Sequence, residues 1–294
     1  MTNDRQPLTK NQKREHAREL ARETREAEQK RKKRRRLITQ GSVILGALAI
    51  VAVVALVVTT SAKPTTGPLN MLSDGIVITG DGSAATAVST AALQPDSVPV
   101  ATDVSESTDV ANIVVYLDYL CPYCGNFENT NGEQIASWVT SGAATLEVHP
   151  ISILDSQSLG SEYSTRSANA AACVANYDPD NFLAVNTALF ADQPEEATTG
   201  LTDDELVELI AAAGSDGDDV ASCITDGTFS EWVAGATERA LEGPLPNTEV
   251  AAVTGTPTVL VNGSQYTGAL DDPEAFSTFV TDVMTAAAEE TPTE

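Results

Sequence analysis

The strongest constraint on this chain is a junction between two kinds of local pattern. An uncharged run, Ile113 to Leu117, leads through Asp118-Tyr119-Leu120 into Cys121-Pro122-Tyr123-Cys124. Apolar residues at successive positions mark a strand buried on both faces. The residues that follow, through Phe127, Ile135 and Trp138, fit a helix, with a kink or break expected at Gly132 and the Asn-rich stretch before it. A strand passing straight into C-x-x-C and a helix places Cys121 at the helix N-terminus, where unpaired backbone N–H groups and the helix dipole favour the thiolate. Cys124 lies one turn further on, close enough to close a disulfide. Pro122 suits the first helical position, because its missing N–H costs nothing there and its φ is already helical. The pattern reads as a dithiol active site.

A C-x-x-C pair is also half of a zinc site, which needs two further ligands. The other cysteines, Cys173 and Cys223, stand singly and far apart, His16 precedes the long apolar segment, and His149 is the one histidine left. No metal site is expected. An inert structural Cys121–Cys124 bridge is the other alternative, and Pro-Tyr between the cysteines at a strand-to-helix junction favours the redox turn over it.

Charge is distributed unevenly. Residues 1–62 hold 14 basic and 6 acidic side chains, net +8, whereas the remainder holds 3 basic (Lys63, Arg166, Arg239) and 36 acidic, net −33. Between Leu37 and Ala62 there is no charged residue. That length exceeds the ~20 residues needed to cross a hydrocarbon core. The basic run Lys30 to Arg36 abuts its N-terminal side, so the positive-inside rule orients residues 1–36 to the cytoplasm and the rest outside. A cleaved signal peptide ending near Thr60-Ser61-Ala62 is the rival reading. The long charged leader and long apolar stretch favour an uncleaved, single-pass anchor in the cell membrane. Within the leader, Glu15, Glu19, Glu23 and Glu26 interleave with Arg18, Arg22 and Lys30 at helical spacing. Such a juxtamembrane cluster orients the chain and holds anionic head groups. The acidic exported part argues against nucleic acid as a partner. All four cysteines follow the apolar segment, as suits an oxidising compartment.

The expected layout is a basic cytoplasmic segment at 1–36, a transmembrane anchor at 37–62, a linker at 63–74, a sheet-containing domain at 75–152 and 250–288 with a helical insertion at 153–249, and a frayed end at 289–294. Strands are expected at Ile76–Ile78, Ile113–Leu117, Thr145–His149 and Thr258–Val261, with Val98-Pro99-Val100 as an edge strand. Asn262-Gly263 signals a type I′ hairpin with a return strand over Gln265–Gly268. Thr202-Asp203-Asp204-Glu205 forms a capping box, and Asp271 or Asp272 caps a last helix beginning at Pro273. Cys173 and Cys223 fall within the insertion. They are either a second redox pair or a structural staple, and the absence of a C-x-x-C neighbour or helix-start context favours the staple. Thr256-Pro257 stands just before a strand, where a proline needs a reason. A cis bond would free the Thr256 backbone to pair with an extended substrate, but cis is a minority state of X–Pro bonds, so the residues alone leave this open.

Taken together, Tyr116 to Glu128, Ala171 to Ala175, Leu201 to Leu206, Cys223-Ile224 and Gly255 to Gly263 resemble the DsbA-like branch of the thioredoxin superfamily, in its membrane-anchored Gram-positive form. The resemblance covers roughly residues 110 to 285. It implies an α/β thioredoxin fold with an inserted helical domain, Cys121 as nucleophile, Cys124 as resolving thiol, and a cis Pro257 beside them, with Pro122, Tyr123 and Thr256 completing the site. No separate cofactor is implied, since the redox group is the Cys121–Cys124 disulfide. Two departures stand out. The buried acid that relatives carry six residues before the first cysteine is Val115 here, leaving water or Asp118 to handle protons. The residue before Cys124 is Tyr123, where the most oxidising relatives have histidine.

The expected activity is extracytoplasmic thiol–disulfide exchange, with oxidation of cysteines in exported polypeptides preferred. A reductase or isomerase on the same fold, or an anchored binding domain with a relic dithiol, are the alternatives. No added dimerisation domain is seen, so a monomer is expected, and family analogy implies reoxidation by a membrane quinone-linked oxidase.

Overall fold

The computed structural model describes residues 65–104 and 109–290. The basic segment 1–36, the expected anchor at 37–62 and residues 291–294 lie outside them. Among the described residues no helix is long and apolar enough to cross a membrane.

The sheet contains β1 (Ile76–Gly80), β2 (Ala85–Ala87), β3 (Ala111–Leu117), β4 (Ala144–Pro150), β5 (Thr258–Val261) and β6 (Ser264–Gln265), in the order β2-β1-β4-β3-β5-β6. β3 and β4 run parallel, joined by the crossover helix α1 (Pro122–Thr140), and every other pairing is antiparallel. β3 is interior and covered on both sides. Ile113, Val115 and Leu117 join the main core with Phe127, Ile135 and Val139 of α1. Val114 and Tyr116 turn to the opposite face against Ile151, Leu245, Val253 and Leu260. That double burial is why β3 reads as a continuous apolar run and not as an alternation.

Helix α1 is unbroken, contrary to the kink expected at Gly132. Both local signals have tertiary explanations. Asn131 is buried, and its amide donates to the Phe127 carbonyl (3.1 Å) and across to the Leu270 carbonyl (3.3 Å). Gly132 makes room for the Glu128 carboxyl, whose Oε1 would stand 2.8 Å from any Cβ at that position.

Three other expectations change. Val98-Pro99-Val100 is not a strand, and Val98 and Val100 are exposed. Pro99 has no N–H to offer a ladder, and Val100 N–H makes a single bond to the Leu72 carbonyl. The stretch expected as a linker packs from Gly67 onward. Met71 is fully buried, the Asn70 amide donates to the Ala175 carbonyl (2.8 Å), and Asp74 accepts two bonds from Arg239 (2.6 and 2.8 Å). The return strand after the hairpin is short. The turn itself is as expected, with Asn262 and Gly263 at φ 44° and 80°. Beyond Gln265, the Tyr266 ring turns inward onto Phe276 and Phe279, with centroids 5.1 and 5.2 Å away, and its hydroxyl donates to the Ala269 carbonyl, drawing the chain off the ladder.

The insertion comprises α2 (Tyr163–Tyr177), α3 (Phe182–Ala191), α4 (Asp203–Ala212), α5 (Asp218–Thr225) and α6 (Ser230–Glu242). Thr202 and Glu205 close the capping box reciprocally. α2 lies at the centre of this bundle, and Ala168, Ala170, Ala171, Ala172 and Ala175 are fully buried. The core is continuous from the sheet into the bundle. The last helix, α7 (Pro273–Glu290), returns to the α1 face, where Phe276 meets Phe127 edge-on at 5.2 Å. Asp272 accepts from the Glu274 and Ala275 N–H groups (both 3.0 Å) at its start.

Candidate active site

Topology brings together residues that are far apart in sequence. β5 pairs antiparallel with β3, Thr258 opposite Tyr116, so the segment entering β5 sits at the sheet end from which the Cys121 turn leaves. Thr256–Pro257 is cis. The Cys121 Sγ–H donates to the Thr256 carbonyl at 3.2 Å, although 135 residues separate them. Cys121 N–H donates to the Asp118 carbonyl (2.9 Å), and the Cys121 carbonyl accepts the Gly125 N–H (3.1 Å) as the first bond of α1. Cys121 is therefore the N-cap, with Pro122 in the first helical turn. The two thiols are unbonded and buried, whereas Tyr123 between them is 64% exposed.

The two thiols are electrostatically unequal. A hydrogen bond from the Cys124 thiol is the largest influence on Cys121, lowering it to about 6 against the opposing effect of burial. The Thr256 side chain and the N–H groups of Cys124 and Tyr123 act in the same direction, and about 6 is the net of them all. Burial pushes Cys124 well above its ordinary value, and its role as donor to Cys121 adds to this. The helix-start N–H groups anticipated from sequence do contribute, but the partner thiol outweighs them. The Thr256 hydroxyl is buried and makes no other hydrogen bond.

Two carboxyls flank the site. Asp118 is fully buried, and its oxygens accept from the N–H groups of Leu120 (2.9 Å), Ile153 (2.8 Å) and Leu154 (3.0 Å), tying the turn before Cys121 to the loop after β4. Burial raises it to about 7 in spite of those donors. Glu128, one turn after Cys124, is likewise raised to about 7 by burial, opposed by hydrogen bonds to Asn186 and Thr187. It lines a small cavity of about 20 Å³ together with Val115, Gly132 and Thr187. The space beside Val115 thus faces an acid supplied from the helix. Sequence reasoning named Asp118 but missed Glu128, although its i+4 spacing from Cys124 was available as a signal.

Asp118→Ala would strand three N–H groups, at about 1–3 kcal/mol for each that stays unsatisfied, and the expected loss in denaturant melts is about 3 kcal/mol or more. The carboxyl is raised on folding, so its contribution is complete below the ordinary value of about 4 and is lost as pH rises through about 7. Asp118→Asn should accordingly lose less stability than the wild type between those limits. An Asp118→Ala protein as stable as the wild type would remove this account of the turn.

Gln193 was not anticipated at all. Following α3, it donates its amide Nε2 to the carbonyls of Tyr119 and Cys121, both at 2.9 Å. Cys173 and Cys223 are disulfide-bonded to each other, joining α2 to α5, and so lie apart from the Cys121–Cys124 pair in the bonding pattern. His149 lies 3.1 Å from Glu147 Oε1 and stacks on Tyr116. Among the described residues no group of three or more His, Cys, Asp or Glu could hold a metal ion.

A family model described as Thioredoxin matches residues 106–282. The serine/threonine-protein kinase PknE of Mycobacterium tuberculosis is 33% identical over 136 residues, which is 45% of this chain and 23% of the kinase, so the chain spans less than a quarter of that relative's length. Among solved structures, reduced DsbA of M. tuberculosis is similar at 27% identity and TM-score 0.53, covering 74% of this chain and 98% of that one. Reduced DsbG of M. tuberculosis, a disulfide bond oxidoreductase, is similar at 27% identity and TM-score 0.52, covering 75% and 95%.

Proposed function

The chain belongs to the thioredoxin family and is a DsbA-like thiol–disulfide oxidoreductase, and from that premise we propose that it works as an oxidase, donating a Cys121–Cys124 disulfide to exported polypeptides. The observation that carries this reading is the separation of the two thiols, Cys121 lowered to about 6 and Cys124 raised. A stabilised Cys121 thiolate stabilises the reduced enzyme, which makes its disulfide the more oxidising. It also makes Cys121 a good leaving group.

In the forward direction a substrate thiolate attacks Cys121 of the disulfide. The Cys121–Cys124 bond breaks, Cys124 leaves with the electron pair and is protonated, and a mixed disulfide forms at Cys121. A second substrate thiolate attacks the substrate sulfur of that bond, and Cys121 leaves as a thiolate. The substrate loses two electrons and the enzyme gains them. The Thr256 carbonyl, 3.2 Å from Cys121 Sγ, is the backbone group beside which an incoming chain would pair. Asp118 and Glu128, both near 7, are carboxyls able to exchange protons at neutral pH.

The same proposal places the catalytic domain outside the cell membrane, held by the uncharged segment 37–62. The charge division along the chain supports this, as does the Cys173–Cys223 disulfide, a bond that persists in oxidising compartments. Reoxidation falls to a quinone-linked membrane protein. Equilibration of residues 65–294 with glutathione tests the direction. A reduction potential clearly above the roughly −270 mV of thioredoxin, displaced toward the roughly −120 mV of strong oxidants, is expected, and one at the thioredoxin value would instead make the protein a reductase.

A further inference from the structure

The redox turn is held from outside the sheet by a side chain of the helical insertion. Gln193 is half-buried just past the end of α3, and both partners of its Nε2 are carbonyl oxygens, so only the amide N–H groups can face them. The Oε1 is thereby directed to Gly125, where any Cβ would collide with it. Gly125 is itself the residue whose N–H closes the first turn of α1 onto the Cys121 carbonyl. That carbonyl therefore accepts from two donors, Gly125 N–H and Gln193 Nε2, while the Tyr119 carbonyl is reached by the same amide. Tyr119 is fully buried, and its hydroxyl donates to Asn186 of α3 at 2.9 Å, so one short segment of the insertion grips the turn at two levels.

We propose that Gln193 is a positioning residue for Cys121, clamping the Tyr119–Cys121 turn so that the N–H groups at the start of α1 face the Cys121 sulfur, and that Gly125 is glycine to admit it. The inference rests on the reading of Cys121–Cys124 as the redox pair. Its physical basis is that N–H groups stabilise a thiolate only when held in line with it. A turn released on its carbonyl side lets the first residues of α1 fray, and the thiolate loses those donors. The residues behind this coupling lie 72 positions apart in the chain, so the insertion is a working part of the redox site and not an appendage to it.

Gln193→Met keeps the length of the side chain and removes the donors. In the domain carrying both disulfide pairs, the Cys121 pKa is read from the pH dependence of alkylation, and the Cys121–Cys124 equilibrium is read against glutathione. The variant should raise the Cys121 pKa and favour the disulfide form about tenfold, equivalent to about 30 mV for this two-electron couple. Gly125→Ala should shift the equilibrium in the same direction when Gln193 is present and leave it unchanged in a Gln193→Ala background. A Gln193→Met protein that melts earlier but keeps both the wild-type pKa and the wild-type equilibrium would overturn the proposal, reducing Gln193 to a packing residue. A wild-type protein whose Cys121 and Cys124 do not exchange with glutathione would overturn the redox reading beneath it, and that result is separate because it is seen before any variant is made.

Discussion

Alkylation of the reduced protein at increasing pH should modify Cys121 first, with the rate half-maximal near pH 6 and falling about tenfold per pH unit below that. Cys124 should stay unreactive through neutral pH, because burial and its bond to Cys121 hold its proton. The largest lowering influence on Cys121 is the Cys124 thiol, so the resolving cysteine also tunes the nucleophile. Cys124→Ala should move the Cys121 midpoint up, toward its ordinary value. Cys124→Ser retains a hydroxyl that can donate, and should move it less. In turnover the two positions separate differently. Cys121→Ser abolishes exchange, while Cys124→Ala cannot hold the Cys121–Cys124 disulfide and loses oxidase turnover. Its Cys121 thiolate still attacks the disulfide of an oxidised substrate and stays trapped as a mixed disulfide, since no Cys124 thiolate is there to displace the substrate. Equal alkylation rates at the two cysteines would leave the pair as a relic. An unchanged Cys121 midpoint in Cys124→Ala would mean that the helix N–H groups alone set the thiolate.

The second large effect is expected far from the thiols. Cys173 and Cys223 are 50 residues apart in the chain and buried, and their bond closes a loop spanning α3 and α4. Replacing both by alanine should lower unfolding stability by about 4 kcal/mol on chain-entropy grounds. Urea denaturation of the double variant measures this directly. If the pair is a staple, exchange at Cys121 persists wherever the variant remains folded. Loss of turnover with unchanged stability would make it an electron relay.

What could be read along the chain was local. β3, the start of α1, the Asn262-Gly263 turn, the Thr202 capping box and the Asp272 cap are each specified within a few residues, by periodicity, by positive φ, or by a side chain reaching its own helix end. The same local rules misread Gly132, the Asn-rich turn and the stretch before β1. Glycine and asparagine usually mark breaks, but here Gly132 clears space for Glu128, and Asn131 and Asn70 donate to carbonyls of distant segments.

The amino-acid sequence by itself determined where the dithiol sits, because a strand, two cysteines and a helix follow one another without interruption and their geometry needs nothing else. It likewise determined the hairpin and the helix ends. The tertiary structure alone decided which carboxyls lie near the dithiol, that Thr256 meets Cys121 across 135 residues, and that Gln193 and Gly125 close on each other from distant segments of the chain. The reason is one of range. Turn geometry and caps are set by steric rules acting over about four residues, whereas a buried acid's proton affinity and a side chain's grip on a carbonyl depend on what the fold removes from water, which no single segment encodes.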